Sequence, residues 1–315
     1  MAKFIARCIF FGFVFFLCFE LLVRAFHLHN QRPIRYLDEQ DVEKWVPHQE
    51  GYSVVGNRRQ NVGHYRINSF GFNSVYDSYR PKESEKSVAL IGDSFIEGFH
   101  QDFDNSLGQK IEGKLKSNSK VFEFGYAGYD FADQLHLIHS YSVLFDDMDQ
   151  VLIYMRFIDD LERSEYEVSS RLSLDTPISR LAKHFKSIVY LKDIGLLDPV
   201  THAISKLGNL RAKNRVSDST EETESDITFA RIQNFKDLVD FYDYDKSKNV
   251  LLVDYRLCPS EFLDFLKENE FKTIDFGESL ARSKSPTDLI YDQHWNDHGR
   301  ELIAKEIANY LNNFD

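Results

Sequence analysis

Val88-Ala89-Leu90-Ile91 is an unbroken apolar run that stops at Gly92-Asp93-Ser94. A run of this length reads as a strand covered on both faces, and the Gly-Asp-Ser after it is turn chemistry. A helical pattern then starts at Asn105 and passes through Leu107, Ile111 and Leu115. Strand, turn and helix in that order is the repeating unit of a parallel α/β sheet. Open sheets of this kind receive ligands just beyond the carboxyl ends of their strands, which is where Ser94 stands. Taken alone, Gly-Asp-Ser is better accounted for by Asp93 or Ser94 merely capping the following turn.

A second stretch changes that balance. Asp292-Gln293-His294-Trp295-Asn296-Asp297-His298-Gly299 places a carboxylate and an imidazole at the mouth of the last helical segment. With Ser94 these supply a hydroxyl nucleophile, a base to take its proton and a carboxylate to orient the base. Between the two stretches the α/β rhythm continues. Strands are expected at Ser87–Ile91, Val121–Phe124, Gln150–Met155, Asn249–Asp254 and Thr273–Phe276. Helices are expected at Asn105–Lys116, Ala132–Leu144, Asp226–Tyr244, Ser260–Glu268 and Asp297–Asn312, the last with Ile303, Ile307, Tyr310 and Leu311 on one face. If the sheet is parallel, Ser94, Gly128, Asp159 and His294 each follow a different strand and emerge along one edge.

The two blocks resemble those of the SGNH (GDSL-type) hydrolases, a family of esterases, lipases, carbohydrate deacetylases and some acyltransferases. Gly92-Asp93-Ser94 matches the first block, and Asp292 with His294 matches the last. The likeness runs from about Lys86 to the C-terminus with a variable middle. The Asp-x-His-Trp-Asn-x-x-Gly form is most similar to the membrane-anchored branch that acts on envelope polysaccharides. In that branch an Asn-Ser-x-Gly-Phe stretch often precedes the first block, and Asn68-Ser69-Phe70-Gly71-Phe72 has this form, though a Gly turn in a hairpin explains it as well. The Gly-x-Ser-x-Gly elbow of α/β-hydrolases is absent, because Ile96 occupies its second glycine position.

The resemblance implies a flavodoxin-like three-layer fold around a parallel sheet, with Ser94, Asp292 and His294 catalytic. It also implies an oxyanion hole built from the backbone N–H of Ser94, that of Gly128 in Phe124-Gly125-Tyr126-Ala127-Gly128-Tyr129, and the amide of an Asn in a third block. That block falls at Tyr154–Asp160, where Asp159 stands in place of the Asn. A carboxylate there repels a forming oxyanion unless it is protonated or turned away, and loss of one such donor costs about 2.7–4 kcal/mol. The alternative to a working enzyme is therefore a weak or inactive relative that binds glycan or a polysaccharide-biosynthesis membrane partner. His294 and His298, four residues apart with Asp292 close by, also resemble a zinc-ligand face. That reading needs a further ligand and leaves Ser94 unused, so no metal and no cofactor is expected.

The N-terminus sets location. Lys3 and Arg7 precede an apolar run from Cys8 to Val23, which with its flanks reaches the ~20 residues that cross a bilayer. No small-x-small cleavage pair follows it, so positions 1–26 read as an uncleaved anchor, with Glu20 and Arg24 able to pair on one helix face. The basic end points inward, and the rest of the chain is expected in the periplasm or outside the cell. Positions 27–80 read as a membrane-proximal segment and 81–315 as the hydrolase-like domain. An insertion at 162–225 has two helical pieces, Ser179–Leu197 and Ala203–Leu210, and a Ser/Thr/Glu-rich loop, Asn214–Ser225, expected to be mobile. A net charge of −12 with no basic stripe argues against nucleic acid as a partner. With Cys8 and Cys18 in the anchor and Cys258 alone, no disulfide forms in the soluble domain.

Overall fold

The structure, a computed structural model, describes all residues except 57–58, 81–84, 170–171, 173–183, 199–222, 291 and 314–315. The chain forms two compact units: Met1–Arg32 with Tyr52–Val62 and Ser170–Glu221, and Pro33–Gly51 with Gly63–Ser169 and Glu222–Asp315.

The first unit is organised on α1 (Ala2–Ala25), a helix long and apolar enough to cross a membrane, with mean hydropathy 2.2. Glu20 pairs with Arg24 at 2.7 Å, as their spacing predicts. The carboxylate also accepts from the backbone N–H groups of Lys186 (2.9 Å) and Ser187 (2.7 Å), the first turn of the helix Lys186–Asp193. An anion at that end satisfies donors that the helix cannot bond internally. Lys186–Asp193 lies within the helical piece expected at Ser179–Leu197. Ala203–Leu210 and most of Asn214–Ser225 fall outside the described residues.

The second unit holds a five-stranded parallel sheet. Its strands are β1 (Lys86–Gly92), β2 (Ser119–Gly125), β3 (Gln150–Tyr154), β4 (Asn249–Val253) and β5 (Thr273–Asp275). They lie in the order β2-β1-β3-β4-β5, with every pairing parallel. This 2-1-3-4-5 order is the flavodoxin-like winding, and its switch point lies between β1 and β3. Successive side chains point to opposite faces, which splits the core in two. Ala89, Ile91, Phe122, Phe124, Val151, Ile153, Leu251 and Val253 pack against α4 (Phe131–Ser140), α5 (Glu224–Phe241) and α6 (Ser260–Glu268). Val88, Leu90, Val121, Leu152, Val250, Leu252 and Ile274 pack against α3 (Leu107–Glu112), α7 (Gly277–Ala281) and α8 (Asp297–Asn313). The result is the three-layer α/β architecture expected from sequence, with strand positions correct to within a residue or two.

One expectation needs correction. The core does not begin at position 81. Trp45, Tyr65, Ile67, Phe72 and Tyr79 are buried in the same cluster as β1 and β2, so much of the 27–80 segment belongs to this unit. Asn68, fully buried, holds it in place: its Oδ1 accepts from Phe70 and Phe72 N–H at 3.0 Å while its Nδ2 donates to Tyr76 O. Gly71 takes φ +91 there, a conformation that glycine adopts without strain.

Candidate active site

The sheet ends β1 and β2 with a glycine side by side, Gly92 opposite Gly125. A short helix, α2 (Ser94–Glu97), crosses directly over them. A Cβ on Gly125 would meet Glu97 N at 2.0 Å, and one on Gly92 would meet the Ile96 side chain at 2.4 Å. The helix is capped by Asp93, whose Oδ1 accepts from Phe95 N–H at 2.9 Å. Ser94 is thus the first residue of a turn seated on the strand ends.

His294 reaches it from a hairpin of β6 (Asp288–Leu289) and β7 (Asp292–Trp295). Asn296 braces this hairpin. Its Nδ2 donates to Pro286 O (2.8 Å) and Asp288 O (3.1 Å), and its Oδ1 accepts from Gly299 N–H (2.9 Å) at the start of α8. Gly299 lies so close that a Cβ would meet Thr287 O at 2.2 Å. Behind the imidazole, Phe95 and Trp295 pack at 4.7 Å between ring centroids, and Phe95 lies 4.4 Å from the His294 ring.

Ser94, His294 and Asp292 come together as a hydrogen-bonded chain. His294 Nε2 lies 2.7 Å from Ser94 Oγ, and its Nδ1 bonds Asp292 Oδ1. Burial pushes the Asp292 carboxyl up, but the bonds from His294 and the nearby imidazole of His100 outweigh it, so the net shift is downward and the group stays anionic. A carboxylate on Nδ1 fixes the tautomer that leaves Nε2 a base toward the serine.

The Gly128 loop follows β2 and is held from both sides. Tyr126 OH donates to Glu43 Oε1 (2.6 Å), Tyr129 OH to Glu43 O (2.5 Å), and Ala127 N–H to Glu97 Oε1 (3.1 Å). Gly128 itself has φ +91 and is exposed. Among the described residues neither the Ser94 N–H nor the Gly128 N–H has an acceptor, so both donors are open to a ligand.

Asp159 is arranged differently from the third donor that the resemblance implies. Its carboxylate is half exposed and pairs with Arg156 Nη1 at 2.8 Å. Arg156 Nη2 bonds the buried Asp93 carboxylate at 3.0 Å. The guanidinium so neutralises two acids at once, and the Asp159 oxygens are turned to a cation rather than offered to an oxyanion. His298 is not part of a ligand face with His294, since its Nε2 is 2.9 Å from Ser283 Oγ. A different histidine, His100, lies with Asp292 and His294 so that their ligand atoms fall within 4.8 Å of one another. The two imidazoles are stacked nearly parallel, 24° apart, and each faces its own oxygen of Asp292. In-plane lone pairs of stacked rings do not converge on one ion, so the trio suits a hydrogen-bonded carboxylate better than a metal.

A pocket of about 580 Å³ is lined by Phe95, Arg156, Asp288, Gln293 and Trp295 among others; Ser94 and His294 are next to lining residues in the chain but do not themselves line it. A larger cavity, about 830 Å³, lies near Tyr79, Ser87 and Asp149 at the amino ends of β1 and β3, the edge opposite to the site.

No family model matches this chain, and no curated protein does. Solved structures similar to it include a member of the lipolytic G-D-S-L family from Veillonella parvula, at 10% identity and TM-score 0.40, covering 71% of this chain and 97% of that one. Another is Est24, a carbohydrate acetylesterase from Sinorhizobium meliloti, at 9% identity and TM-score 0.41, covering 73% of this chain and 100% of that one. Within this site, Glu43, Glu97, His100 and the Arg156–Asp93 pair carried no signal in the sequence. Each acts on a partner that is distant in sequence, across 63 positions for Arg156 and Asp93 and 83 for Tyr126 and Glu43.

Proposed function

We propose that this protein is a serine-dependent ester hydrolase or O-acyltransferase working through an acyl-Ser94 intermediate. The observation that carries this reading is the contact of 2.7 Å between Ser94 Oγ and the imidazole that Asp292 orients. Ser94 Oγ gives its proton to His294 Nε2 as it attacks the ester carbonyl. The open N–H groups of Ser94 and Gly128 receive the oxyanion, and the imidazolium returns the proton to the departing alcohol. Deacylation repeats these steps with water, or with a sugar hydroxyl in the transferase case. Two donors rather than three make the hole weaker than a full one.

The substrate we propose is an acylated, chiefly O-acetylated, envelope glycan or lipid-linked saccharide. The pocket that begins at Phe95, the residue after Ser94, supports this, because Arg156, Gln293 and Asp288 in its lining offer polar contacts for hydroxyls. The apolar helix α1 supports a single-pass anchor in the inner membrane with the second unit outside the cytoplasm, where a membrane acyltransferase is a fitting partner. The test is a fluorophosphonate probe on the full-length protein in detergent. Labelling that is lost in Ser94→Ala supports the reading, and equal labelling of that variant refutes it.

A further inference from the structure

The loop after α2 brings a second imidazole to the same carboxylate. Gly98 ends α2 in the left-handed region at φ +67, and Gln101 N–H donates back to Gly98 O at 3.2 Å. This turn returns the chain so that His100, six positions after Ser94, lies over His294. The two ring centroids are 3.9 Å apart at 24°. His100 Nε2 is 2.9 Å from Asp292 Oδ2, while His294 Nδ1 occupies Oδ1. Asp292 therefore carries one imidazole on each oxygen.

We propose that His100 is a positioning residue: its Nε2–H pins the Asp292 carboxylate, and its ring face fixes the plane of His294. The inference rests on the catalytic reading of Ser94, His294 and Asp292. The terminal torsion of an aspartate is soft and nearly two-fold, so a carboxylate with one partner swings readily. Asp292 is about a quarter exposed and belongs to a short hairpin, where such freedom is least restrained by packing. A donor on Oδ2 removes that freedom and holds Oδ1 toward His294. The stacked face acts on the second soft torsion, the imidazole's own.

The arrangement requires that His100 remain neutral while His294 gains its proton, because two imidazolium rings in stacking contact repel. Burial first, and the adjoining His294 next, hold His100 down to about 4, against the pull of Asp292; Arg300 adds to the depression. Across the neutral range it is an uncharged donor. It neither transfers a proton to substrate nor touches the reacting atoms.

The experiment compares His100→Ala, His100→Phe and His100→Gln in the full-length protein, using fluorophosphonate labelling rate and acetyl-ester turnover against pH. Phe keeps the ring face without a donor, and Gln keeps a donor without the face. We expect kcat to fall in the Ala variant, by up to about 10²-fold, with KM little changed. Gln should recover most of the loss and Phe less. The acid limb of kcat/KM should move to higher pH in Ala and Phe, since Asp292 with one donor fewer holds the imidazolium more tightly. Wild-type labelling with unchanged rate and pH limb in all three variants overturns the inference while leaving the catalytic reading intact. Wild-type protein that does not label overturns both. Thermal melts of the three variants separate misfolding from mispositioning, and the His294 Nδ1 proton resonance, sharp in wild type and broadened in Ala, reads the positioning without any turnover.

Discussion

The indole Nε1 of Trp45 donates to Oε1 of Glu97 at 2.7 Å, and the N–H of Ala127 donates to the same oxygen. One buried acid thus joins a segment far ahead of the sheet to α2, which carries Ser94, and to the loop that carries Gly128. The Tyr126 N–H, which donates to Gly92 O at 3.0 Å, ties the same loop to the strand end that precedes Ser94.

Burial, working against the bonds from Ala127 and Trp45, pushes Glu97 up to about 8 from an ordinary 4.5. The folded state therefore holds a proton that the unfolded chain has lost, and stability falls as pH rises from about 4.5 to about 8. The fall is at most about 1.4 kcal/mol per pH unit from this one group. Glu97→Gln keeps a carbonyl acceptor and carries no charge. Its stability relative to wild type should be near zero below about 4.5 and largest above about 8, as read from urea midpoints across that window.

Asp159→Asn should change little. The ion pair it removes lies on the surface and is worth under about 1 kcal/mol. Were Asp159 the third member of the oxyanion hole, restoring an amide would raise turnover by about 10²–10³-fold. Acetyl-ester turnover of the variant within a few-fold of wild type, with an unchanged pH profile, matches the pairing with Arg156 seen here.

Arg156→Leu should be costly. It strands the Asp93 carboxylate, which is 2% exposed, at the cap of the helix that presents Ser94. Breaking a buried pair from one side costs roughly 3 kcal/mol. Burial, the largest influence on Asp93, already raises its pKa while Arg156 opposes that rise. Without Arg156 the group takes up a proton more readily, so part of the lost stability should return as pH falls. Thermal denaturation at two pH values checks both the loss and its recovery.

Gly299→Ala tests how tightly the hairpin is tied to α8. The added methyl meets Thr287 O, a backbone atom with little room to yield. We expect about 1–3 kcal/mol of destabilisation. Slower probe labelling at Ser94 should accompany it, because the shift is passed to His294 through Asn296.

The α/β class and the strand positions were readable from local pattern, and Ser94, Asp292 and His294, singled out there as candidates, meet in the structure. Continuous apolar runs, a Gly-Asp-Ser break and a two-residue spacing from Asp292 to His294 are statements about neighbours in the chain, and neighbour chemistry is what a sequence displays. Tertiary structure alone decided how the site is supported. The 27–80 segment looked peripheral because its aromatics are scattered among polar residues; its buried members, Trp45, Tyr65 and Phe72, find their partners only across the sheet. His100 carried no signal in the sequence, and only the Gly98 turn lays it on His294. Asp159 stood at the right place in the chain for an oxyanion donor, but the charge of Arg156 decides which way its carboxylate faces. Long-range charge pairing and stacking depend on where separate strands deliver their ends, and that is set by the winding of the sheet rather than by any one stretch of chain.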